Sequence, residues 1–161
     1  ETLGYGEHDI EIVQIAAFLH DIGNMVNREE HAQSGAVMAF RILDNLGFSA
    51  CDIATVVSAI GNHDESNGVP VNPVSAALIL ADKSDETSFD IHDRVNYSVA
   101  DSRLEINPAH DTITLSLDID TKYSSVMDYF EIFLARMLLC KKAAAKLGLE
   151  YKLKMNEQQL I

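Results

Sequence analysis

Positive charge is scarce in this sequence. Twelve lysines and arginines face 25 aspartates and glutamates, a formal net charge of −13, and so acidic a surface argues against a nucleic-acid polymer or an anionic membrane as the main partner. Cysteine is scarce too: Cys51 and Cys140 stand 89 residues apart with no metal-knuckle spacing, which reads as free thiols in a reducing compartment. No apolar run approaches the ~20 residues a bilayer-crossing helix needs, and no charged-then-apolar leader opens the chain. The expected location is cytoplasmic. There is no glycine-rich loop after a strand and no nucleophile elbow, which removes dinucleotide-dependent dehydrogenases and Ser/His/Asp hydrolases. No internal repeat or low-complexity tract is present. What remains is ordinary globular material, 47% apolar and 23% charged over 161 residues, enough to bury a core without disulfides.

Chemistry concentrates in Ala16-Ala17-Phe18-Leu19-His20-Asp21-Ile22-Gly23-Asn24. A histidine and an aspartate stand side by side at the end of an apolar, helix-like run. Consecutive helical residues point about 100° apart, so both reach an ion lying between their directions. Such a pair is half of a metal site, and three later places offer the other half: His31, the Asn62-His63-Asp64-Glu65 cluster, and Asp82 after the apolar run Ala76 to Ala81. An unpaired carboxylate at Asp82 would be costly in such surroundings.

Periodicity places these residues at helix ends. From Asp9, which is placed to cap, the residues Ile12, Val13, Ile15, Ala16 and Leu19 give a first helix that Gly23 and Asn24 end. The ligand pair then lies at a C-terminus, where backbone carbonyls favour a cation. A second helix runs from His31 to Gly47 after an entry at Asn27 to Glu30. A third begins at Ser49 or at Cys51-Asp52 and delivers His63. A fourth, from about Val74, delivers Asp82. Between these last two, Gly68, Pro70 and Pro73 rule out one regular helix. After Asp85 the pattern changes. Residues 86 to 93 are polar and acidic, Leu104 to Ile106 and Ile113 to Leu117 alternate as strands, and a turn-rich stretch from Asn107 to Asp111 joins them. A long helix follows, with Ser125 and Asp128 as a capping-box signal and a buried stripe of Tyr123, Val126, Met127, Phe130, Phe133, Leu134, Met137 and Leu138. Gly148 ends it, and Tyr151, Leu153 and Met155 suggest a third strand. His92 and His110, in polar or turn contexts, are not expected as ligands.

Taken together, Leu19-His20-Asp21-Ile22-Gly23, His31 ten residues after Asp21, His63 after an Ala-Ile step, and Leu80-Ala81-Asp82-Lys83 resemble the HD-domain metal-dependent phosphohydrolases over roughly residues 9 to 86. The resemblance implies a helical metal-binding core and hydrolysis of phosphate esters, with the His-Asp pair and a distant Asp holding the ion. Residues Asn62 to Pro70 are similar in part to the HD-GYP branch, but Asn62 stands where that branch has its first histidine and Val69 where it has tyrosine. The family pattern has one further histidine on an earlier helix. His8 is the sole candidate among the nineteen residues before His20, and it is too close. The sequence is therefore expected to be N-terminally truncated. The expected fold is mainly α, an HD-type helical core over residues 1–86 with a β-β-α-β extension over 87–161 packed on it as one compact domain.

On that resemblance, Asp21 bridges two ions, His20 and Asp82 hold one of them, and His31 and His63 hold the other. Two divalent ions about 4 Å apart neutralise phosphoryl charge, activate water and stabilise the leaving oxygen. Mixed imidazole and carboxylate ligands suit manganese, iron, nickel or zinc. Lys83 would meet a substrate phosphate and Asp64 would relay a proton to the leaving group. The expected partner is a small phosphorylated substrate such as a nucleotide, and a homodimer stays open. Two other readings stand beside this one: a non-catalytic regulatory or dimerisation module of the same fold, and a cyclic-dinucleotide phosphodiesterase.

Overall fold

Gly6 and Asp9 set the start of the first helix. The Gly6 amide donates to Asp9 Oδ2 at 3.2 Å, so Asp9 acts back from the third helical position, the half of a capping box that a glycine cap allows, and is not the N-cap its spacing suggested. Helix α1 (Glu7–Leu19) buries Ile12, Ala16 and Leu19 on one face. It stops short of the predicted end. His20 and Asp21 lie beyond it, and a 3-10 turn over Ile22–Met25 follows. Gly23 is not there to end a helix; its role is the close approach described below.

The computed structural model describes residues 1–84, 94–156 and 158–160. The expected domain boundary at 86/87 and His92 lie outside the described residues. The chain divides into two compact units, Glu1–Ile79 and Leu80–Ile161. The first holds α1, α2 (His31–Asn45), α3 (Ala50–Gly61) and most of α4 (Pro73–Ser84), which continues past the division. Gly47, at φ +78°, turns the chain out of α2 where a Cβ would be strained. Ser49 Oγ accepts the Asp52 amide at 3.1 Å, which makes Ser49 the N-cap of α3. Helix α2 packs on α3 and on the 3-10 turn, and α1 packs on α3. Their shared core runs through Ala16, Leu43, Val56, Ile60 and Leu78.

The second unit adds a short α5 (Arg94–Tyr97), β1 (Val99–Ile106), β2 (Thr112–Ile119), α6 (Val126–Lys146), β3 (Glu150–Met155) and β4 (Gln158–Gln159). Sheet order is β1-β2-β3-β4, with β1/β2 and β3/β4 antiparallel and β2/β3 parallel. A parallel pair needs a crossover connection, and α6 supplies it. The β-β-α-β order thus matches the sequence pattern; α5 and β4 are too short to leave a periodic signal. Ser125 and Asp128 form the expected capping box at α6. Its buried stripe is rotated from the expected one. Tyr129, Phe133, Met137, Cys140 and Ala144 are buried, whereas Tyr123, just before the helix, and Met127, Leu134 and Leu138 are exposed. Apolar residues occupy more than one face of α6, so periodicity alone could not choose among them.

The architecture is mainly α with a small four-stranded sheet. Among the described residues, no helix is long and apolar enough to cross a membrane.

Candidate metal centre

Three chain segments meet at Asp21, and a pair of glycines lets them. A Cβ on Gly23 would collide with the His31 carbonyl oxygen and lie 2.6 Å from both the Gly35 amide nitrogen and Ser34 Oγ. A Cβ on Gly35 would in turn lie 3.2 Å from the Gly23 nitrogen and 3.3 Å from the His20 carbonyl oxygen. The turn carrying His20 and Asp21 therefore rests backbone against backbone on the first turns of α2. This contact brings the pair beside His31, the first residue of that helix. The end of α3 delivers His63 from the other side.

The three histidines are held alike. His20 Nδ1 lies 2.7 Å from the Ala17 carbonyl oxygen, His31 Nδ1 3.0 Å from that of Arg28, and His63 Nδ1 2.6 Å from that of Ile60. A carbonyl oxygen can only accept, so each Nδ1 carries the ring's proton. In the neutral rings, every Nε2 is then left with its lone pair. Those lone pairs converge: His31 Nε2 is 3.4 Å and His63 Nε2 3.9 Å from Asp21 Oδ1, and His20 Nε2 is 3.6 Å from Asp21 Oδ2. His31 Nε2 and His63 Nε2 are themselves 3.2 Å apart.

Two lone pairs at that distance, beside a carboxylate, repel one another unless a cation or an added proton stands among them. The donor set thus fits a metal ion on its own chemistry. Orienting a ligand histidine through Nδ1–H to a backbone carbonyl is a usual way to fix its tautomer. Ligand atoms of Asp21, His31 and His63 all lie within 4.8 Å of one another. His31 and His63 are buried at 4% and 1% exposure, while the Asp21 side chain is 49% exposed. The group is closed on its inner side and open at the carboxylate.

Asp82 and Lys83 are on the last turn of α4, past the division, with Lys83 Nζ 2.8 Å from Asp82 Oδ2. Asp64 follows His63, and its Oδ2 accepts the Ser66 hydroxyl at 2.6 Å. His8 lies in the first turn of α1 and its Nε2 is 2.8 Å from Asp52 Oδ1, which ties α1 to the start of α3. The Asp52 hydrogen bond, and then its charge, hold the His8 imidazole above its ordinary pKa. The Ser49 hydroxyl, and then His8, hold the Asp52 carboxyl below its ordinary range. His110 occupies the β1–β2 turn at φ 57°.

One neighbour escaped the sequence reading. Arg28 Nη1 lies 3.9 Å from Asp21 Oδ1 and 3.4 Å from Asn24 Oδ1. Its signal was scarcity, because Arg28 and Arg41 are the only lysines or arginines in residues 1–79.

Among known proteins, one family model, described as HD domain, matches residues 1–90, more than half of the chain. No curated protein and no solved structure matches.

Proposed function

Because the chain belongs to the HD-domain family of metal-dependent phosphohydrolases, we propose that it hydrolyses the phosphate ester of a nucleotide or another small phosphorylated molecule, using divalent ions held at Asp21. The observation that carries this reading is the facing pair of Nε2 atoms, 3.2 Å apart, with both Nδ1 protons committed to carbonyls. His31 and His63 would hold one ion and His20 and Asp82 a second, with Asp21 offering a carboxylate oxygen to each. The part given to Asp82 rests on the family resemblance that Leu80-Ala81-Asp82-Lys83 carries. Manganese, iron, nickel and zinc suit these ligands. When bound, such ions supply positive charge for the phosphoryl oxygens and a water acidic enough to ionise near neutral pH.

The chain's own groups do the positioning. Each Nδ1 bond holds its imidazole in one tautomer and orientation, so the lone pairs are aimed in advance. Burial of His31 and His63 keeps bulk water from the inner side, and the half-exposed Asp21 leaves the outer side for the ester. Asp64, next to His63, is assigned the proton that the leaving oxygen takes up. Lys83, paired with Asp82, is assigned positive charge toward the phosphoryl group.

Elemental analysis of the purified chain beside Asp21→Ala, with hydrolysis of a generic phosphomonoester and a generic phosphodiester, tests the proposal. The expected result is about two ions per chain, lost in the variant together with activity. A wild-type chain that binds no transition metal and hydrolyses neither ester after metal loading would overturn it.

A further inference from the structure

The substrate can be narrowed from a cleft that opens beside His31, an argument that rests on the hydrolase reading above. The cleft is about 700 Å³ and is lined by residues 27–33 and by Asp64, Ser66 and Asn67. That volume is ordinary for a small-molecule site. Its lining is not that of a base-binding site. Among the described residues its one aromatic ring is the imidazole of His31, a residue assigned to an ion above, and it contains no large aliphatic side chain; a nucleobase would forgo the stacking on a free aromatic face that ordinarily contributes about 1–3 kcal/mol per base.

Charge narrows the choice further. One cation lines the cleft, Arg28, and it stands at the metal-centre end, 3.9 Å from Asp21 Oδ1. A divalent ion on Asp21 and the Arg28 guanidinium are like charges, and a single phosphoryl dianion between them compensates both. The lining also carries the carboxylates of Glu29, Glu30 and Asp64. A second or third phosphate would meet these as like charge, whereas hydroxyl groups would donate to them. The side-chain amides of Gln33 and Asn67 offer both donors and acceptors.

We infer that the cleft takes a phosphomonoester of an uncharged, hydroxyl-rich body, a sugar or polyol monophosphate, with Arg28 on the phosphoryl group. In the hydrolysis, the water oxygen bonds to phosphorus and the ester P–O bond breaks with its electron pair on the polyol oxygen. That oxygen takes up the proton that the water releases, passed on through the Asp64 carboxylate. The products are the free polyol and inorganic phosphate, and no redox partner is needed.

The test uses the full chain loaded with manganese, with hexose 6-phosphate, glycerol 3-phosphate, AMP, ATP and a cyclic dinucleotide as substrates. Calorimetric binding of hexose 6-phosphate and of AMP to the metal-depleted chain gives a readout independent of turnover. Expected are a kcat/KM for hexose 6-phosphate at least about tenfold above that for AMP, and tighter binding of the hexose phosphate. Arg28→Ala should raise KM and weaken binding by about ten- to a hundredfold, the factor of a charge-assisted hydrogen bond, with kcat changed much less and Arg28→Lys intermediate. Arg28 is largely exposed, so neither variant threatens folding. AMP or ATP as the better substrate, or Arg28→Ala without effect on KM and binding, would overturn the inference. If no ester is hydrolysed, the hydrolase reading fails and calorimetry alone decides: preference for hexose 6-phosphate sustains the cleft assignment, and preference for AMP or binding of neither removes it.

Discussion

Placing a methyl group on Gly23 should damage this protein more than any other glycine-to-alanine change in its helical unit. The ideal Cβ lies 2.6 Å from the Gly35 nitrogen and from Ser34 Oγ, and it overlaps the His31 carbonyl oxygen. Ordinary contact begins near 3.4 Å, so the Gly35 side alone must retreat by about 0.8 Å. Two of the three obstacles are backbone and cannot step aside by changing rotamer. Parting the turn from α2 by that much forfeits about a quarter to a half of each contact across the seam. Overpacking of this kind costs about 1–3 kcal/mol, and backbone obstacles place Gly23→Ala at the upper end. Alanine's smaller unfolded-state entropy returns about 0.4–1 kcal/mol. The net loss is about 2–3 kcal/mol, or roughly 4–12 °C in Tm for a chain of this size.

Two other glycines calibrate the argument. At Gly35 the added Cβ would sit 3.2 Å from its nearest neighbour, and at Gly61 3.5 Å. Gly35→Ala requires only a few tenths of an ångström of adjustment and sits in a helix interior where alanine is favoured by about 1 kcal/mol; it should be near neutral. Gly61→Ala meets no tight contact and should stabilise by up to about 1 kcal/mol. The chain has no tryptophan, so urea unfolding followed by far-ultraviolet circular dichroism is the assay, with midpoints compared at constant slope. Stability should fall in the order Gly61→Ala, Gly35→Ala, Gly23→Ala. A Gly23→Ala protein as stable as wild type would refute the close-approach reasoning.

Glu30 holds φ 60° and ψ 22° immediately before His31, a backbone region that costs an L-residue about 1–2 kcal/mol. Glu30→Gly should therefore raise Tm by about 1–4 °C in thermal unfolding, and a fall would show that the position is not strained. The His8–Asp52 pair predicts a pH effect. Because the folded His8 pKa is raised, its contribution is present below the ordinary value of about 6.5 and is lost as pH rises through the folded value. The lowered Asp52 pKa works at the other end, its contribution disappearing as pH falls through the folded value. The unfolding midpoint of His8→Ala should thus lie below wild type at about pH 6 and converge with it at about pH 9; a gap unchanged across that range would exclude the ion pair as its source.

The helices were legible because their signals are local. Ser49, Ser125 with Asp128, and Gly47 and Gly148 mark ends through bonds or backbone angles that involve only near neighbours. Where two local readings competed, the sequence could not arbitrate. Gly23 looks like a helix terminator from its immediate neighbours, and its true constraint is set by the backbone of His31 and Gly35, eight and twelve positions away. The stripe on α6 failed for a related reason, since only the sheet decides which of its apolar faces is covered. Arg28 drew no attention because one exposed arginine is unremarkable until the acidity around it is counted.

At the centre itself, the ligand types could be read from the sequence while the property that makes them a site could not. A histidine is as able to donate from Nε2 as to offer a lone pair there. Each of His20, His31 and His63 bonds through Nδ1 to the carbonyl three residues earlier, a geometry that exists only once the segments before them are wound. The winding occupies the Nδ1 proton, and the Gly23–Gly35 contact then brings the Nε2 of His31 within 3.4 Å of Asp21. Backbone structure thus sets both the tautomer of the neutral donors and their spacing. A chain with the same five candidate ligand residues but a side chain at position 23 would keep the motif and lose the convergence of Asp21 with His31 that a metal ion would require.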